Sequence, residues 1–277
     1  MIIFASKFVG FKCLKYLEEA DEAISVVVVP TASELSIIDI CETNGIHWFV
    51  YDETTVLKSV KSYCDSADWL LNLWSPFILK PEVLKLAEKR LNVHPSLVPA
   101  CRGNDTAAWS IRLSLQAGVS LIEMDNGIDT GGIYCQEEVL VEPNDTGKLL
   151  YEKQVNASIQ LFKNSWPRIK NGKILPLPQN STGTHFTRAM TNEDRLKEWS
   201  SFSNQEAFDN WVRAHDFFQI RLPKFSSIMA AYTGLSLVLL MNDCRLEARS
   251  YSKEGLLAIG DQVHSVATVQ NINAKFK

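Results

Sequence analysis

The chain is short of the features that announce metal, redox, membrane or nucleic-acid work. Its six cysteines, Cys13, Cys41, Cys64, Cys101, Cys135 and Cys244, include no C-x-x-C pair, and neither a zinc site nor a dithiol redox motif fits their spacing. No apolar run approaches the ~20 residues that span a bilayer; the longest, Leu235 to Met241, reads as a strand. The N-terminus has no signal-peptide pattern and goes straight into an apolar strand, so the expectation is a soluble, cytoplasmic protein with reduced thiols and no membrane partner. With 28 Lys+Arg against 32 Asp+Glu the net charge is −4, which gives no reason to expect a nucleic-acid partner. Glycine is missing where a dinucleotide would need it. A G-x-G-x-x-G turn lets backbone amides approach a pyrophosphate, whereas the first strand-to-helix turn here is Ala5-Ser6-Lys7-Phe8-Val9-Gly10, with one glycine and a bulky Lys-Phe pair. A nicotinamide or flavin dinucleotide at that turn is therefore not expected. No internal repeat or low-complexity tract is visible.

What is present is ordinary globular material, 46% hydrophobic and 22% charged over 277 residues, enough for one large domain and a smaller appendage. Strand and helix patterns alternate through the first half. Met1 to Ala5, Ile24 to Val29, Ile46 to Tyr51 and Trp69 to Leu73 read as strands. Ser6 to Glu19, Glu34 to Thr43, Thr54 to Asp65 and Pro81 to Glu88 read as helices, the last with proline in its first turn. The β-branched run before Pro30 suits a strand covered on both faces. The expected class is α/β, a Rossmann-like, doubly wound, mostly parallel sheet. Thr146 to Lys170 reads as one long helix, interrupted or ended near Pro167 and stopped by Asn171-Gly172. Pro176, Pro178 and the polar run to Gly183 form the best linker, so domains are expected over 1–180 and 181–277. The second would be small and β-rich, with a helix from Asn204 to Ala214 and strands at 236–241, 244–251, 255–259 and 266–270.

The stretch from Arg90 to Glu137 organises the rest. It reads as a strand ending at Leu91-Asn92-Val93, a polar loop, a helix, a strand from Val119 to Met124, a sharp turn and a further strand. Thr106 is placed to cap the helix, whose apolar positions Ala108, Ile111 and Leu115 recur at helical spacing. Loops at the carboxyl ends of strands line the ligand crevice of α/β sheets, so Asn92, His94 and Asp129 are expected to converge from two strand ends. Singly, each has a plainer reading: a loop histidine capping a strand, an amide pairing sheet-edge backbone, a turn-forming aspartate before glycine.

Together they carry a family likeness. The run N-x-H-P-S-L-x-P-x-x-R-G over Asn92 to Gly103, then D-x-G-x-D-T-G-x-I over Asp125 to Ile133, resembles the formyltransferases that use N10-formyltetrahydrofolate. The resemblance is strong over residues 70–140 and weak beyond residue 180. It implies that Asn92, His94 and Asp129 fall on the family's catalytic trio. It also implies a folate site walled by Trp74, Ser75, Pro76, Phe77 and Ile78 and by Met124, Asp125, Asn126, Gly127 and Ile128. Ser96, Arg102, Gly103, Asn104 and Asp105 would contact the acceptor, Arg102 as a phosphate or carboxylate ligand or as a merely solvated arginine. Gly131-Gly132 stands where the family commonly has Gly-Asp.

Formyl transfer needs a donor for a developing oxyanion and a group that moves the amine proton. A buried asparagine supplies the first, a histidine held by a carboxylate the second. No covalent nucleophile is required. Of the acceptors in the family, a purine precursor belongs to shorter relatives, and tRNA needs clustered Lys and Arg. Residues 181–277 hold 11 Lys+Arg and 10 Asp+Glu, a net of 11 − 10 = +1. The expectation is therefore transfer to a nucleotide-linked amino sugar, of the kind used in surface-polysaccharide synthesis, with a homodimer left open. Methionyl-tRNA formyltransferase, a formyltetrahydrofolate hydrolase and a silent binding module are the alternatives. No metal is expected to take part: a chelator should leave transfer unchanged, and activity lost with chelator and restored by zinc or magnesium would contradict this.

Overall fold

The computed structural model describes residues 1–180, 182–195, 203, 206, 207 and 209–217, and the backbone alone of Leu196, Lys197, Gln205, Phe208 and the strands beyond 217. In chain order the first elements are β1 (Ile2–Ala5), α1 (Lys7–Glu19), β2 (Val26–Val29), α2 (Leu35–Thr43), β3 (Trp48–Val50) and α3 (Val56–Lys61). Then come β4 (Ala67–Leu73), α4 (Pro81–Leu84), β5 (Ala87–His94), β6 (Arg102–Gly103) and α5 (Thr106–Arg112). β7 (Ala117–Ile122), β8 (Ile133–Val139), α6 (Gly147–Lys170), β9 (His185–Phe186) and α7 (Arg188–Asp194) follow. The chain forms two compact units. The first comprises residues 1–102, 118–138 and 154–183; the second comprises 103–117, 139–153 and 184–277.

The first unit is built on a seven-stranded sheet in the order β3-β2-β1-β4-β5-β7-β8. The neighbours from β3 to β5 are parallel, and β7 runs antiparallel to β5, pairing Asn92 with Ile122 and His94 with Ser120. The period-2 alternation of strand side chains sorts the apolar residues onto two faces. Ile3, Val27, Leu71, Leu91 and Val93 pack with Leu14, Ile37, Phe162 and Trp166 on one face. Ile2, Phe4, Val28 and Leu70 pack with Val56, Val60, Val83 and Leu84 on the other. Both faces are thus covered, as the continuous apolar strands require.

Several boundaries differ from expectation, each for a local reason. The helix expected to reach Glu88 ends at Leu84, because Ala87 already pairs with Ala67 and Lys89 with Trp69 in β5. The helix expected from Thr54 starts at Val56, since Asp52 Oδ1 accepts the amides of Thr54 and Thr55, both at 2.9 Å, in a turn before it. Thr106 is the first helical residue of α5 and not its cap; Asp105, left-handed at φ 55°, occupies the cap position, and Leu115 lies beyond the helix. The strand expected to reach Met124 ends at Ile122. α6 runs through Pro167 without a break, and Gly172, at φ 70°, closes it as the left-handed residue that a helix end favours.

The second unit contains α5, α7, β10 (Leu196–Lys197), α8 (Gln205–Ala214), β11 (Lys224–Phe225), β12 (Ile228–Tyr232), β13 (Leu237–Met241), β14 (Cys244–Tyr251), β15 (Leu256–Ile259) and β16 (Gln262–Ser265). β10 to β16 form a seven-stranded sheet in sequence order, antiparallel except for β10 with β11. This is the β-rich composition expected of the C-terminal region; the strand expected over 266–270 lies outside the described residues. Among the described residues, no helix is long and apolar enough to cross a membrane, and no group of three His, Cys, Asp or Glu side chains is placed to hold a metal.

A buried polar knot ties α5, α7 and α8 together. Asp194 accepts from Arg112 Nε at 3.0 Å and contacts His215 Nε2 at 2.9 Å, while its carbonyl accepts from Trp211 Nε1 at 2.5 Å. Trp109 stacks on Phe186 and donates to Thr191 Oγ1 at 3.0 Å. Burial alone would raise the Asp194 carboxyl, but the His215 hydrogen bond and the Arg112 charge outweigh it and hold it below its ordinary 3.8. Burial pushes the His215 imidazole below its ordinary 6.5, only partly opposed by Asp194.

Both shifts act in one direction. Below pH 6.5 the unfolded chain binds the histidine proton before the folded chain does, and below 3.8 the same holds for the carboxylate. Stability should therefore be level above neutrality and fall as pH drops through these windows, read as urea midpoints at successive pH values. Asp194→Ala, which removes the shared acceptor of the partly buried Arg112 and the buried His215, should cost about 3 kcal/mol; a midpoint unchanged by pH and by this substitution would contradict the assignment.

Candidate active site

The site is built at the ends of β5 and β7. Along β5, Leu91 and Val93 enter the core, so the period of 2 places Asn92 and His94 together on the opposite side. Pro95 follows at once and ends the ladder. From β7 the chain enters a turn held by Asp125, which accepts from Gly127 N at 2.9 Å and from Thr130 Oγ1 at 2.7 Å. Gly131 closes the turn where a Cβ would lie 2.0 Å from the Glu123 carbonyl oxygen. Asp129 sits within it at φ 55°, the left-handed region that aspartate tolerates better than most residues.

Three side chains meet on one atom. Asn92 Nδ2 donates to Asp129 Oδ1 at 3.2 Å, and His94 Nδ1 lies 3.5 Å from the same oxygen. The other face of the ring, Nε2, is 3.3 Å from the carbonyl oxygen of Cys101. His94 is only 4% exposed. Carboxylate and carbonyl oxygens only accept, so a neutral imidazole donates to one of them and a protonated ring to both. The Asn92 amide carries two hydrogens and Asp129 takes one, so the second can serve a ligand oxygen.

The loop from Pro95 to Cys101 is shaped from inside. The Ser96 hydroxyl donates to the Cys101 carbonyl, and Ser120 Oγ donates to the Ser96 carbonyl at 2.5 Å. Gln136 Nε2 donates to Ser120 Oγ and to the Val98 carbonyl, at 2.8 and 2.9 Å. Ser96 is fully buried, so its side chain holds the loop. The Arg102 guanidinium is engaged by Gln179 Oε1, from Nη2 at 2.6 Å and Nε at 3.1 Å. Gly103, Asn104 and Asp105 belong to the second unit. There Asn104 N donates to the Phe186 carbonyl at 2.8 Å, and Asp105 pairs with Arg188 at 2.7 Å.

The residues expected around a folate divide. Met124 and Phe77 pack on the same apolar cluster, joined by Tyr51, which stacks on Phe77 with centroids 3.6 Å apart. Trp74, half-buried at φ 63°, and Ser75, 92% buried, lie at the end of β4, whereas Pro76, Ile78 and Asp125 to Ile128 are exposed. The Ser75 amide donates to Asn72 Oδ1 at 2.9 Å, and the Ser75 hydroxyl has no hydrogen-bond partner among the described residues. At the start of α1, Glu34 accepts from Ser6 Oγ at 2.7 Å and from the Lys7 amide at 2.9 Å. The chain's own carboxylate thus sits where a dinucleotide fold places a pyrophosphate. Sequence reasoning missed Gln179, which lies in a Pro-rich polar run that reads as linker, and Tyr51, which reads as core.

A mostly parallel α/β sheet with polar side chains gathered at its strand ends defines a ligand-binding or catalytic domain of the open-sheet type. More narrowly, residues 67–164 match the family model described as formyl transferase. A methionyl-tRNA formyltransferase from Synechococcus sp. (strain JA-3-3Ab) is 30% identical over 139 residues, 50% of this chain and 42% of that enzyme. The chain therefore matches less than half the length of this curated relative. An N-formyltransferase from Helicobacter canadensis, solved with folinic acid and dTDP-3-aminofucose, has the same fold, with a TM-score of 0.68, 20% identity and coverage of 95% of this chain and 96% of that one. The methionyl-tRNA formyltransferase of Clostridium thermocellum superposes with a TM-score of 0.54 at 17% identity, covering 95% and 98%.

Gly131→Ala tests whether the turn needs its glycine. The added Cβ meets backbone, so stability should fall by about 1–3 kcal/mol, measured by urea unfolding; an unchanged midpoint would mean the turn relaxes freely.

Proposed function

We propose that the protein transfers a formyl group from N10-formyltetrahydrofolate to the amine of a nucleotide-linked amino sugar, in the cytoplasm. The observation that carries the reading is the convergence of Asn92 and His94 on Asp129 Oδ1 from two strand ends, beside a formyl transferase family match. The folate supplies the formyl carbon and a nitrogen leaving group. Asn92 donates its second amide hydrogen to the formyl oxygen as negative charge develops there. His94 takes the proton that the attacking amine must lose and returns it to the departing nitrogen, so the proton count closes without a covalent intermediate. Asp129 orients the ring. Tyr51, Phe77 and Met124 offer an apolar wall for a flat pterin, and the buried Ser75 hydroxyl fits a ligand polar atom.

The near-neutral charge of residues 181–277, 11 − 10 = +1, supports a small acceptor over tRNA, whose phosphates want clustered cations. The competing reading is methionyl-tRNA, the substrate named for the Synechococcus relative. Incubating the protein with N10-formyltetrahydrofolate and a panel of nucleotide-linked 3- and 4-amino sugars should yield a formamido sugar by mass spectrometry. Formylation of methionyl-tRNA alone would overturn the acceptor, and formate release without any amine would identify a hydrolase.

Given that transfer, His94→Asn and Asn92→Ala should each lower kcat by roughly 10²–10⁴-fold with little change in folate binding. Because Asp129 acts through the ring, His94→Asn with Asp129→Asn should be little slower than His94→Asn alone. Additive losses in that cycle would mean that the two residues act independently.

A further inference from the structure

We infer that Gln179 is a positioning residue for the proposed transfer, its side-chain amide bracing the loop that presents Asp129 to His94 and Asn92. The inference rests on that reading for its kinetic consequence and on geometry for its structural one. Gln179 Nε2 donates to the carbonyl of Asp129 at 2.9 Å and to that of Gly131 at 2.7 Å. Its Oε1 accepts from Arg102 Nη2 at 2.6 Å and Nε at 3.1 Å. Both hydrogens and both lone pairs of one amide are therefore used. Turning the amide over would set its oxygen against two carbonyls and its NH2 against a guanidinium, so the network itself fixes the orientation.

The loop needs such a brace. Asp129 is left-handed at φ 55°, a region less favoured than the right-handed one for residues other than glycine, and its neighbours Asp125 to Ile128 and Thr130 are exposed. Its contacts with the two site partners are long, 3.2 Å to Asn92 and 3.5 Å to His94. A displacement of about 1 Å would break both, and misplacement on that scale costs up to ~10²-fold in rate. Gln179 holds the carbonyl of Asp129 itself and the one two residues on.

Anchoring of its own segment does not account for Gln179. Leu177 already exchanges two backbone hydrogen bonds with Ile133, at 2.8 and 2.9 Å, and these do not involve the Gln179 side chain. Arg102 also gains meaning: its guanidinium orients the amide that orients the loop.

Gln179→Met removes all four bonds at nearly constant volume; Gln179→Glu keeps an acceptor for Arg102 but turns a carboxylate toward the two carbonyls. Both should lower kcat roughly 10–100-fold, with KM for the folate changed about 2-fold or less, the pattern of a loss confined to the transition state. In an Asp129→Asn background either variant should add little. Without any substrate, backbone amide exchange across residues 127–131 should speed up at least ~10-fold while the core strands keep their protection. Wild-type protein that formylates no amine would sink the proposed function yet leave the exchange test intact. Unchanged exchange, or losses fully additive with Asp129→Asn, would overturn the role of Gln179.

Discussion

One carboxylate oxygen holds the site together. Asp129 Oδ1 receives Asn92 and faces His94 across a separation of 37 residues for the asparagine. Neither strand end alone makes a site. The Asn-Val-His end of β5 supplies an amide and an imidazole, and the turn after β7 supplies the carboxylate that both face. Because β7 runs antiparallel to β5, with Asn92 opposite Ile122, the chain leaving β7 does not start beside His94. It must come back through a turn, and the strained, hydrogen-bonded loop from Asp125 to Gly131 does this.

The sheet provides the rigidity that this arrangement borrows. Leu91 and Val93 are buried in the core on one face, and the alternation of the strand sets Asn92 and His94 on the other. Loop chemistry then follows from polar satisfaction. The Cys101 carbonyl receives Ser96 and faces His94, Ser120 answers Ser96, and Gln136 answers Ser120. Buried polar groups that are all paired specify one geometry, and here that geometry presents an imidazole between two acceptors. The same economy operates at α1, where Glu34 accepts from the Ser6 hydroxyl and the Lys7 amide at the turn that a dinucleotide-binding chain would leave for phosphate.

The second unit uses another solution. α5, α7 and α8 meet through Trp109, Trp211, Arg112, Asp194 and His215, a mixture of aromatic stacking and a buried charge cluster. A buried cluster of this kind makes its packing specific at the cost of acid sensitivity, since both Asp194 and His215 are shifted toward losing protons.

The sequence by itself determined the class of sheet, because strands buried on both faces must be continuous apolar runs and helices with one buried face must be periodic. It also pointed to Asn92, His94 and Asp129, because two motifs in order are a linear signal. Element ends were less legible. Lys85 to Glu88 suits a helix by composition, and only the pairing of β5 with β4 ends the helix at Leu84 and makes Ala87 and Glu88 strand. Asp105 and not Thr106 sits at the head of α5, a choice made by a left-handed backbone that no local pattern announces. Gln179 was invisible for a different reason. A glutamine just after a Pro-Leu-Pro run has no periodicity and no motif, and its partners Arg102, Asp129 and Gly131 lie 77, 50 and 48 residues away. Hydrogen bonds of that range are decided by where the folded backbone passes, so only the tertiary structure could show them.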